Sequence, residues 1–235
     1  MQAIKECISF LNFPQRIINL PRVESPISYI FSLFIFAFVL NIILLSLVSN
    51  FVDFESMDNG ILALKDSMGF AGMFALAVIA APVIEEIIFR FPLQNKVVLS
   101  FLLIGLDAII VSIFCQAFGW HNLAIYLPII TAILSIALIF LVKAVQEDWY
   151  QAMDDWYPYI FFFVAGMFGF IHIYNYGEGG FEWWMTPFIV IPQFVLGLFL
   201  GFVRLRIGLW ASILMHAMNN AIPMSLFLIQ DNLGF

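Results

Sequence analysis

Residues 27–48 read ISYIFSLFIFAFVLNIILLSLV, with no charged side chain anywhere in the run. A helix rises ~1.5 Å per residue, so a stretch of this length matches the ~30 Å of hydrocarbon in a bilayer. Segments of the same kind follow at Met68–Phe91, Val97–Gly119, Leu123–Val145, Tyr157–Tyr176, Trp183–Val203 and Gly208–Ile229. Across the 235 residues, 63% are hydrophobic, 11% are charged and 28 are phenylalanine. That leaves too little polar surface to clothe a soluble core, so most of the exterior must face lipid. The expected fold is an all-α polytopic membrane helix bundle of about seven transmembrane helices.

Before the first span lies a polar-mixed segment in which Ile4, Ile8 and Leu11 share one helical face, which predicts a short interfacial helix stopped by Pro14. The apolar run after it exceeds the ~7–15 residues of a secretory signal core, so a retained span is expected. Cys7 and Cys115 stand far apart in unlike surroundings and read as small apolar fillers. The net charge of −7 and nine scattered Lys and Arg residues offer no phosphate-binding face, which excludes nucleic acid as a partner.

Positive charge near span ends sets orientation. With the N-terminus in the cytoplasm, Lys5, Arg16, Arg22, Arg90, Lys96, Lys143, Arg204 and Arg206 all fall inside. Lys65 alone is outside, in an acidic loop with Asp53, Glu55, Asp58 and Asp66. The segment Glu147–Asp155 reads as an acidic inner loop, and acidic residues count little in this rule.

Ionisable groups inside spans cost ~2.5–3.5 kcal/mol each even on the gentler insertion scale, so each needs a reason. Span two carries Glu85, Glu86 and Arg90. Glu86 and Arg90 are one turn apart and can pair, whereas Glu85 points ~100° away toward something else. The structural alternative is an ion-pair cluster at the span end, with Arg90 reaching the surface. Span five ends on His172, and span seven sets Ser212, His216 and Asn220 on one stripe. A carboxylate and a histidine can deprotonate and orient a water, while a second histidine and an amide can donate to a developing oxyanion. Equally, Glu85, His172 and His216 suit three zinc ligands with water as the fourth, although no His-Glu-x-x-His motif is present. By rise per residue, Glu85 and His216 fall nearer the basic span ends and His172 farther from them. Asp107 and Gln193 read as interhelical hydrogen-bonding residues. Arg204 and Arg206 suit either a substrate carboxylate or simple anchoring.

Three patterns stand in order, each in an apolar span: Glu85-Glu86-x-x-x-Arg90, Phe168-x-x-x-His172 and His216-x-x-x-Asn220. Together they resemble the CAAX prenyl protease and bacteriocin-processing (CPBP or Abi) family of intramembrane proteases. The resemblance implies that Glu85 and His172 activate water, that His216 and Asn220 form the oxyanion hole, and that Glu86 and Arg90 support them. It implies a membrane-associated peptide or lipidated peptide as substrate and the plasma membrane of a prokaryote as location. Family members are often labelled metalloproteases, so zinc on Glu85, His172 and His216 stays open beside a metal-free, glutamate-dependent route. The chain then divides into 1–67, holding the interfacial segment, first span and acidic loop, and 68–235, the protease-like domain. The rival from another class is a transporter or an immunity-type binding protein using the same polar groups for permeation or docking.

Overall fold

The computed structural model describes residues 1–16, 21–52, 60–175 and 183–233. The loop residues Asp53, Glu55 and Asp58, and the expected end of span five at Tyr176, lie outside them. Among the described residues every regular element is helical: α1 (Gln2–Asn12), α2 (Pro26–Val48), α3 (Gly60–Ala75), α4 (Ala81–Phe89), α5 (Lys96–Ala117), α6 (Leu123–Leu141), α7 (Lys143–Asp155), α8 (Tyr157–Ile171), α9 (Thr186–Arg206) and α10 (Leu209–Leu233). A π-helical turn at Leu76–Ala80 joins α3 to α4, and 3₁₀ turns occupy Phe91–Gln94 and His172–Asn175. Among the described residues, six helical stretches are long and apolar enough to cross a membrane, and α8 is a shorter apolar helix of 15 residues. The protein is a polytopic membrane bundle.

The α9 helix is its centre. In its apolar stretch 61% of residues are buried, against 17–22% in the other five spanning stretches. It packs on α8, α2, α10 and α1. Close approach to α8 depends on glycine. A Cβ on Gly169 would stand 2.9 Å from the Phe194 backbone nitrogen, and one on Gly197 would stand 3.1 Å from the Phe168 ring. Small residues let helix backbones meet where lipid gives no hydrophobic drive to associate. The outward faces keep half-exposed Ile, Leu and Phe, as a lipid-facing surface should.

Two expectations need correction. The α1 helix stops before Pro14 as expected, and Ile4 and Leu11 pack on the core, but the face that docks is set by Ala3, Cys7 and Phe10, the last against Phe161 and Phe202, and Ile8 is left exposed. Burial pushes the Cys7 thiol up to about 12, as expected of an apolar filler. The acidic segment Glu147–Asp155 is not a loop. It belongs to α7, whose Trp149 donates to Ser100 and whose Asp154 pairs with Lys96 and Arg16. The two spans between the first and second motifs, α5 and α6, pack chiefly on each other, with α5 also against the turn Phe91–Gln94 and α6 against α7.

Candidate active site

The site begins with a proline. In the π turn the Ala81 N–H reaches back five residues to the Leu76 carbonyl. In that register the next donor would serve Ala77, but Pro82 has no N–H to give. Asn220 supplies it, its Nδ2 donating to the Ala77 carbonyl at 2.9 Å. An unmet carbonyl in lipid is costly, so this bond fastens α10 against span two, about two helical turns before the two glutamates.

One turn after Pro82 the two carboxylates diverge. Glu85 Oε2 lies 3.8 Å from His172 Nε2 and 3.8 Å from His216 Nε2. Glu86 turns the other way, with Oε1 3.0 Å from His216 Nδ1 and Oε2 3.7 Å from Arg90 Nε. Glu86 and Arg90 are 0% and 1% exposed, so Arg90 does not reach the surface. Its guanidinium lies instead over the Phe168 ring, 3.8 Å from the centroid, which suits a cation taken out of water. Glu86 therefore has a second partner besides Arg90, a histidine far along the chain.

His172 opens the 3₁₀ turn at the end of α8, and its Nδ1 sits 2.7 Å from the Phe168 carbonyl. A carbonyl only accepts, so Nδ1 carries the proton and Nε2 in the neutral ring presents a lone pair toward Glu85. Phe168 itself wedges between the imidazoles, 4.8 Å from His172 and 5.5 Å from His216, edge-on to both. The sequence pattern contained this phenylalanine, but only the packing shows what it does.

The expected difference in depth is absorbed by the span ends. After Arg90 the chain continues through the 3₁₀ turn Phe91–Gln94, which rises ~2 Å per residue. Tyr157, at the start of α8, donates to the Leu93 carbonyl within that turn. The α8 helix thus starts beyond the end of α4, and His172 arrives level with Glu85.

Ligand atoms around tetrahedral zinc at ~2.0–2.1 Å stand roughly 3.3–3.4 Å apart, closer than the 3.8 Å separations found here. No group of three or more His, Cys, Asp or Glu side chains is arranged to hold a metal ion among the described residues. The donor set does not fit zinc as it stands.

The remaining polar residues fall elsewhere. Arg206 is committed to Glu6 at 3.2 Å and to the Pro21 carbonyl at 2.8 Å, and Arg204 donates to the Arg90 carbonyl at 3.2 Å. Both tie elements together. The Glu6 carboxyl is pushed up by burial, but hydrogen bonds from Tyr29, Gln2 and Arg206 outweigh this and hold it below the ordinary value. Asp107 is exposed on α5, and Gln193 lines a cavity shared with His172. Asn41, buried in α2 with an Oδ1 that meets no partner, was not singled out from the sequence. An amide in an otherwise apolar span was the available signal.

Compared with known proteins, the chain matches one family model over residues 67–222, described as type II CAAX prenyl endopeptidase, Rce1-like. No curated protein and no solved structure matches the chain.

Proposed function

For a chain that belongs to the Rce1-like type II CAAX prenyl endopeptidases, a family of intramembrane proteases, we propose that Glu85 and His172 activate a water which hydrolyses a peptide bond in a membrane-associated, prenylated CAAX-type substrate. One observation carries this reading: Glu85 Oε2 stands 3.8 Å from Nε2 of His172. Two groups at that separation can share one water at ordinary hydrogen-bond lengths of ~2.8 Å. The water gives a proton to Glu85, its oxygen attacks the carbonyl carbon, and the C–N bond breaks as Glu85 returns the proton to the leaving amine.

His216 and Asn220 stabilise the oxyanion. Asn220 spends one N–H on Ala77 and keeps the other for the developing charge. His216 faces Glu86 through Nδ1, so donation from Nε2 requires a proton on both ring nitrogens. The Glu86 carboxylate is the counter-ion which that form needs, and Arg90 holds Glu86 from its far side. Glu86 and Arg90 thus act as positioning residues.

A purified sample in detergent should cleave a fluorogenic farnesylated CAAX peptide. Asn220→Ala should lower kcat ~10²–10³-fold with a much smaller change in KM. Equal losses in both constants would assign Asn220 to docking alone, and no hydrolysis by the wild-type protein would remove the protease reading.

The basic bias favours the inside for the ends carrying Arg90, Arg204 and Arg206. A reporter fused beside Lys65 is expected to behave as external and one following Arg206 as cytoplasmic. Finding both on one side would overturn this orientation.

A further inference from the structure

The α2 helix lies outside residues 67–222, the part matched by the family model, yet it forms one wall of a cavity that reaches the proposed site. This cavity, of about 370 Å³, lies between α2, α9 and α10, and His172 lines it together with Asn41, Leu45, Gln193 and Asn219. Its surface is otherwise mostly apolar, which in a membrane protein alone would suit an acyl chain as well as a peptide. The amides argue for the peptide. Asn41 is 9% exposed, and its Oδ1 is buried with no hydrogen-bond partner. In lipid such a group is expensive unless something arrives to meet it. An acyl chain offers nothing, whereas a peptide backbone offers both N–H and C=O.

Bond hydrolysis inside a bilayer imposes the same requirement from the substrate side. A helical segment satisfies its own backbone, but a scissile bond must be exposed in extended chain, and the freed N–H and C=O groups then need partners. Asn and Gln side chains carry a donor and an acceptor each, so they match an extended backbone without depending on its side chains. We propose that α2, α9 and α10 form the groove for the extended apolar residues beside the scissile bond, with Asn41 of α2 hydrogen-bonding their backbone. This rests on the protease reading and adds to it a specificity wall supplied by the first span.

The experiment uses the full chain carrying Glu85→Gln, so that binding is read without turnover. A farnesylated CAAX peptide with a benzophenone next to the scissile bond should photolabel α2 around Asn41 and Leu45, as located by mass spectrometry. In the active protein, Asn41→Leu should raise KM about three- to tenfold, the range for one lost neutral hydrogen bond, with kcat unchanged. Asn41→Gln should recover part of that loss. Leu45→Trp, on a half-exposed residue, should raise KM by filling the groove, so the idea does not depend on one variant folding. Label confined to other helices with KM unchanged in all three variants would overturn the groove while leaving proteolysis intact. Label on Asn41 itself, the buried residue of the groove wall, from a diazirine phospholipid that excess peptide does not displace would also overturn it, by assigning the space to lipid. Labelled α2 in a protein whose wild type never cleaves would remove the protease reading and keep the groove as a peptide-binding site.

Discussion

Glu85→Gln is expected to leave a folded protein that does not cleave. The substitution keeps size and removes basicity. Glu85 Oε2 makes no hydrogen bond within the protein, so a neutral amide of the same size in its place breaks no hydrogen bond at that atom. The proposed base, however, is lost at the only carboxylate lying near Nε2 of both His172 and His216 among the described residues. Removing a general base costs ~10²–10⁴-fold in rate, and in the proposed mechanism the same group also returns the proton to the leaving amine. Turnover should therefore fall to the upper end of that range, into assay background. The check is a cleavage time course with the farnesylated CAAX peptide beside a melting curve of the same sample. Wild-type turnover by Glu85→Gln would sink the proposed mechanism.

The second large effect is on stability, at Arg90. This cation is 1% exposed, and its charge is met by Glu86, which is 0% exposed. Removing one partner of a buried pair costs roughly 3–5 kcal/mol, because the other charge is left behind in a medium that cannot solvate it. Arg90→Met should lower the melting midpoint sharply, with loss of activity following loss of fold. Glu86→Gln should also destabilise, by stranding Arg90. If folded it should lose the counter-ion for doubly protonated His216 and turn over more slowly, yet keep measurable activity, since the glutamine carbonyl oxygen still accepts from His216 Nδ1 and Glu85 is untouched. The double variant Glu86→Gln/Arg90→Met leaves no unpaired charge and should recover much of the stability lost by Arg90→Met. Strict additivity of the two single effects would show that Glu86 and Arg90 are not coupled. Glu86→Gln that is folded yet as inactive as Glu85→Gln would exchange the roles given to the two carboxylates.

Much of this was legible in the chain because it depends on local composition. A bilayer demands ~20 apolar residues per crossing, and six of the runs from residue 27 onward form helical stretches of that length, while α8 is shorter. The same hydrocarbon makes Glu85, Glu86, Arg90, His172, His216 and Asn220 conspicuous, since charge and amide groups do not persist in spans without a use. The i,i+4 pairing of Glu86 with Arg90 followed from helix geometry alone. Amphipathic polar segments were harder. The α7 helix looked like an acidic loop because its stability comes from contacts made by Trp149 and Asp154 with α5, not from its own pattern.

What tertiary structure decided was which distant groups answer one another. Glu86 acquires His216 130 residues away, and Asn220 serves the Ala77 carbonyl that Pro82 leaves unmet, 143 residues back. Depth was settled the same way. Rise per residue set His172 apart from Glu85, and only the anchoring of Tyr157 on Leu93 shows how α8 brings it level. Sequence periodicity fixes the face on which a side chain lies. The height and partner of that face depend on where helix ends are tied, and those ties are made between residues far apart in the chain.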